Sequence, residues 1–201
     1  MRNYSEIKVT RDGERCTISF DRTEALNAIT PTMLEELNAA ATAASDDDSI
    51  RFVVLTGEGR SFSAGVDLKA LGERKLVNGK VGDILDLPAR RLTSTLSSMP
   101  KITIARVNGF CFTGALELAI SCDLFVVASN AKLGDTHAKF GLRPTWGLSQ
   151  RLPELVGLAK ARELSFTARM FSGDEAAQWG LATEAVELEN LDSRIDDLIE
   201  E

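Results

Sequence analysis

Two residues of this 201-residue chain stand out as able to move protons. One is Glu117, set in the apolar run Ala115-Leu116-Glu117-Leu118-Ala119-Ile120. A carboxylate among apolar neighbours is costly unless it is paired or protonated. Burial raises its pKa toward the range where a carboxyl can give and take protons near neutral pH. A structural glutamate paired with an arginine is the competing reading. The other is His137, the one histidine, in Asp135-Thr136-His137. Its imidazole can act as acid or base near neutrality, although a lone histidine serves equally well as a structural hydrogen-bonder.

Two small-residue turns accompany them. Phe62-Ser63-Ala64-Gly65-Val66-Asp67 and Asn108-Gly109 through Thr113-Gly114 each follow an apolar, strand-like run. Small residues let a ligand approach the backbone. In an α/β sheet the loops leaving the strand ends are where ligands sit. A helix opening at Gly114 would also present unpaired N–H groups suited to negative charge. A plain strand-to-helix turn with Asp67 near a helix start fits the first segment equally well.

Other chemistries are excluded by what the chain lacks. One histidine and three scattered cysteines (Cys16, Cys111, Cys122) cannot assemble a zinc ligand set, so no metal is expected. There is no P-loop, no dinucleotide fingerprint and no nucleophile elbow. The net charge of −7, with no basic cluster, argues against a nucleic-acid partner. No apolar run approaches the length of a membrane span and no signal peptide opens the chain, so a cytoplasmic location is expected.

These residues need a frame. Alternation over 4–10 and 14–20 predicts a β-hairpin. Pro31, with Thr30 as N-cap, predicts a helix carrying Met33, Leu34, Leu37 and Ala41 on one face. Buried strands are expected at Phe52–Thr56, Ile102–Val107, Leu124–Ala128 and over 182–187. Helices are expected at 84–98, 114–121, 147–156, 158–166 and 173–178. The glycine-rich, charged stretch 72–82 reads as a mobile loop, and Asp135 to Gly147 as irregular. Strand–helix alternation over this length predicts one α/β domain with a largely parallel sheet. At the C-terminus Leu191, Ile195, Leu198 and Ile199 form one apolar helix face. That face predicts a helix cut short, one that packs on another chain, or a frayed end.

Four segments together resemble the crotonase (enoyl-CoA hydratase/isomerase) family. They are Asp21 to Ala28, Ser63 to Asp67, Lys101 to Asp123, and Gly141 to Leu152, in matching order and spacing over nearly the whole chain. The resemblance implies a β-β-α superhelix, with an acyl-CoA-binding core over 1–187 and a shortened C-terminal helical segment over 188–201. It implies a homotrimer or hexamer. The substrate would be an acyl-CoA thioester, with no cofactor beyond the CoA carried by that substrate. Ala64 and Gly114 would donate backbone N–H groups to the thioester oxygen, each worth about 3 kcal/mol to the enolate. Ala25, Leu26, Gly65 and Asp67 would contact substrate or CoA. Glu117 and His137 would be the acid–base pair, with His137 standing where hydratases keep a second glutamate. The implied activity is a hydratase-like lyase. Isomerisation, decarboxylation, thioester hydrolysis, a retro-aldol step and simple acyl-CoA binding are the alternatives.

Overall fold

A computed structural model of the chain describes residues 3–69 and 78–201. The loop expected at 72–82 therefore falls largely outside the described residues. The chain opens with a hairpin, β1 (Ile7–Asp12) antiparallel to β2 (Arg15–Phe20). Helix α1 (Pro31–Asp46) follows, and the Thr30 hydroxyl caps it by accepting from the Met33 N–H at 3.0 Å. Met33, Leu34, Leu37 and Ala41 are all buried on its inner face, as their spacing requires.

Three units then repeat the same path, each a strand in a large sheet, a short strand in a small sheet, and a helix. They are β3 (Phe52–Gly57), β4 (Ser61–Ser63) and α2 (Asp83–Ser98); β5 (Ile102–Val107), β6 (Phe110–Phe112) and α3 (Gly114–Ala119); β7 (Leu124–Ala128), β8 (Lys132–Gly134) and α4 (Leu148–Val156). This is the β-β-α superhelix that the resemblance implies. Helices α5 (Leu158–Thr167) and α6 (Gly173–Gln178) flank β9 (Phe171–Ser172); β10 (Glu184–Val186) and α7 (Leu191–Glu200) complete the chain.

The large sheet has the order β1-β2-β3-β5-β7-β10 and is parallel from β2 onward. Its inner strands are largely buried, which is why they read as mainly apolar runs. The small sheet has the order β4-β6-β8-β9. Sequence patterning missed it, because strands of two or three residues are too short to show a period of two. Two of them sit inside segments read as turns.

The apolar face of α7 turns inward. Leu191 and Ile195 are buried in this chain's own core, and Leu198 and Ile199 pack against its edge. Arg106–Asp192 at 2.7 Å and Arg15–Asp196 at 2.5 Å tie the helix to β5 and β2. A second chain is not needed to cover it. Among the described residues no helix is long and apolar enough to cross a membrane.

The loop between β2 and α1 is held by Asn27, which is fully buried. Its Oδ1 accepts the Arg22 N–H at 2.9 Å, and its Nδ2 donates to Glu58 O at 3.0 Å and Ser61 O at 2.8 Å. Replacing Asn27 by Ala leaves these buried groups unpaired. We expect a loss of roughly 3 kcal/mol in urea unfolding. A loss of under about 1 kcal/mol would mean that the loop is held by something else.

Candidate active site

Strands β4, β6 and β8 lie side by side and parallel in the small sheet. Each delivers one part of the site at its C-terminal end. After β4 the Ala64 N–H donates to Leu26 O at 2.9 Å. The next residues pair with Ile29: Gly65 O accepts from Ile29 N at 2.8 Å, and Asp67 N donates to Ile29 O at 2.9 Å. A residue flanked by two such bonds turns its own N–H to the opposite side. That residue is Val66, and its N–H makes no hydrogen bond among the described residues.

This corrects one expectation from the sequence. The Ala64 amide is already used in holding the turn, so the free donor at this position is Val66. Nothing local in the sequence distinguishes the two, because the deciding bond reaches back to Leu26.

After β6 the Thr113 N–H donates to Gly134 O at 3.0 Å, and α3 begins at Gly114. No side chain caps this helix start, so the Gly114 N–H stands free among the described residues. The two turns touch. Gly65 has φ +91°, and a methyl group there would sit 2.1 Å from Thr113 Oγ1. A methyl on Gly114 would sit 2.3 Å from the Trp146 ring. Glycine at both positions lets the backbones approach closely.

Glu117 lies one turn into α3 and is 1% exposed. Its Oε2 accepts the N–H groups of Trp146 at 2.8 Å and Leu148 at 2.9 Å. Its Oε1 lies 3.5 Å from His137 Nε2. Burial pushes the Glu117 carboxyl above its ordinary value of 4.5; His137 and the two N–H bonds oppose this without cancelling it. His137 opens a short 3-10 turn after β8 and is buried. Its Nδ1 lies 2.7 Å from Asp135 Oδ1. Sequence reasoning did not give Asp135 a role, although its place two residues before His137 was a usable signal.

Val66, Thr113, His137 and Trp146 line one cavity of about 230 Å³, with Phe112 and Leu142 among its apolar walls. Trp146 is held there by Asp86 of α2, whose Oδ1 accepts from the indole Nε1 at 3.0 Å and from Thr145 Oγ1 at 2.7 Å. So the structure brings Gly114, Glu117 and His137 together, with Val66 in place of Ala64 as the donor. Ala25 and Leu26 stand behind the first turn and do not line the cavity. Asp67 pairs with Arg22 at 3.1 Å, which anchors the same turn from outside. Among the described residues no cluster of His, Cys, Asp and Glu is arranged to hold a metal ion.

The enoyl-CoA hydratase/isomerase family model matches residues 11–201. The chain belongs to this family. It is 35% identical to the crotonyl-CoA hydratase of Syntrophomonas wolfei over 189 residues, covering 94% of this chain and 72% of that protein. Among solved structures, the enoyl-CoA hydratase of Bacillus anthracis matches with a TM-score of 0.91 at 31% identity, over 98% of this chain and 76% of that one. A Thermobifida fusca structure in complex with acetoacetyl-CoA matches with a TM-score of 0.86 at 32% identity, over 96% and 78% of the two chains. As a member of the enoyl-CoA hydratase/isomerase family the chain is an enzyme of the hydratase type.

The raised pKa of Glu117 has a consequence for stability. The folded state favours its neutral form, so the stability that goes with that form is complete below pH 4.5 and declines as pH rises through the raised value. Glu117→Gln keeps the shape and an oxygen for both amides but cannot ionise. In urea unfolding from pH 4.5 to 8, the variant should gain stability relative to wild type as pH rises. A difference that stays constant across this window would contradict the assignment.

Proposed function

We propose that the protein hydrates the Cα=Cβ bond of a 2-enoyl-CoA thioester to give the 3-hydroxyacyl-CoA. The observation that carries this reading is the approach of Glu117 Oε1 to within 3.5 Å of the Nε2 of His137, which lines the same cavity as Val66. Two groups at that separation can both hydrogen-bond one water molecule about 2.8 Å from each.

The thioester oxygen would sit on the N–H groups of Val66 and Gly114. Water oxygen adds to Cβ, the double-bond electrons shift to form the enolate, and negative charge gathers on the thioester oxygen. The two preset donors stabilise that charge by about 3 kcal/mol each. Cα then takes a proton from the Glu117–His137 pair, and the pair recovers one from the added water. Apolar walls at Phe112, Leu142 and Trp146 suit an acyl chain. They also exclude bulk water, which strengthens the electrostatics of the site. No cofactor is invoked beyond the CoA of the substrate.

Isomerisation is the second reading. It uses the same enolate with proton transfer alone, and a Glu/His pair in place of two carboxylates favours it. Assembly into a homotrimer is part of the proposal, and the exposed Phe166 side chain of α5 supports it as apolar surface outside the cavity.

Glu117→Gln should reduce hydration of a 2-enoyl-CoA by about 10²–10⁴-fold while CoA-thioester binding is retained. Steady-state rates with product identification, together with calorimetric binding, check this. Unchanged turnover would remove Glu117 from the mechanism, and a shifted double bond in place of a hydroxyl group would select isomerisation.

A further inference from the structure

The imidazole of His137 lies between two buried carboxyl groups that it contacts differently. Asp135 is 1% exposed, and its Oδ1 lies 2.7 Å from His137 Nδ1 and accepts the His137 N–H at 3.3 Å. Glu117 lies on the other side, 3.5 Å from Nε2. The first contact is a normal hydrogen bond; the second is longer than one, and a water beside the pair can hydrogen-bond both atoms.

We propose that Asp135 is a positioning residue that holds the proton of neutral His137 on Nδ1 and so leaves the Nε2 lone pair facing the water shared with Glu117. The alternative tautomer would set the Nδ1 lone pair against a carboxylate oxygen at 2.7 Å, two acceptors in contact with no proton between them. A buried carboxylate also needs donors, and among the described residues both that Asp135 Oδ1 receives come from His137. The short spacing matters. Asp135 and His137 are two residues apart at the end of β8, so the backbone N–H of His137 bonds the same oxygen as its ring does. The ring plane and the carboxylate are thereby fixed together.

This divides the labour of the proposed hydration, on which it rests. His137 Nε2 takes one proton from water as the water oxygen bonds to Cβ. Cα takes its proton from the Glu117 carboxyl. The proton on Nε2 then passes to the Glu117 carboxylate, which restores both groups with one water consumed. Burial of Glu117 favours the neutral carboxyl that this division requires.

The chain has a single histidine, so one labelled side chain reports the tautomer without ambiguity. Long-range proton–nitrogen correlation spectra of the full chain, labelled with ¹⁵N-histidine and recorded without substrate in alkaline buffer, should show a protonated Nδ1 and a bare Nε2. In Asp135→Asn the amide can donate to Nδ1, and the spectrum should move to the Nε2–H form. Asp135→Ala, which removes the partner outright, should move it the same way. In both variants kcat for 2-enoyl-CoA hydration should fall about 10²–10⁴-fold with KM nearly unchanged. An Nε2–H signal in wild type, or a wild-type tautomer in both variants, overturns the proposal. A tautomer change with unchanged kcat overturns its link to catalysis. If the chain hydrates no enoyl-CoA, the nitrogen spectra still decide what Asp135 does.

Discussion

The buried carboxyl group of Glu117 is the constraint around which the rest is arranged. Removing a carboxylate from water is costly, and the chain offsets this with two backbone N–H groups on Oε2 and an imidazole near Oε1. One N–H comes from the loop that leads into α4 and the other from the helix's first residue, so this stretch must fold back over α3. Asp86 of α2 anchors it through the Trp146 indole and the Thr145 hydroxyl. The same indole packs against Gly114, where no side chain fits. One aromatic residue thus links the acid, one wall of the cavity and one free amide. A change at any of the three is transmitted to the others through a close-packed interior.

The β-β-α path explains why the parts converge. Each pass through the small sheet ends at the same edge, and three successive passes bring there Val66, then Gly114 with Glu117, then His137. Neighbouring parallel strands lie about 4.8 Å apart, so residues distant in sequence become neighbours without long loops. The donors are set in place before any ligand arrives. Val66 is fixed by Ile29 on one side and by the Leu26–Ala64 bond just before it, and Gly114 by the start of a helix. Preset donors of this kind need no reorganisation when charge develops.

Much of this was legible in the sequence, for definite reasons. The long parallel strands announced themselves as β-branched apolar runs, and Thr30-Pro31 marked the start of α1. Glu117 was visible as a charge in an apolar context, and His137 as the lone imidazole before a Gly/Pro-rich loop. What was hidden depends on bonds between distant residues. The choice of Val66 over Ala64 turns on Leu26, about forty residues earlier. The hold of Trp146 and Leu148 on Glu117 spans about thirty residues, and that of Asp86 on Trp146 spans sixty. The inward packing of α7 was also hidden, because an apolar helix face looks the same whether its partner is the chain's own sheet or another molecule.

Family membership secures the fold and the hydratase type, and the Asp135–His137–Glu117 arrangement is the feature of this chain's own site on which the proposed chemistry turns. The most direct test is a crystal structure with a non-reactive acyl-CoA thioester bound. It should show the thioester oxygen within hydrogen-bond distance of both the Val66 and Gly114 nitrogens, with Cα and Cβ facing Glu117 and His137. A thioester oxygen bound elsewhere, or an acyl chain directed away from Glu117, would contradict the account.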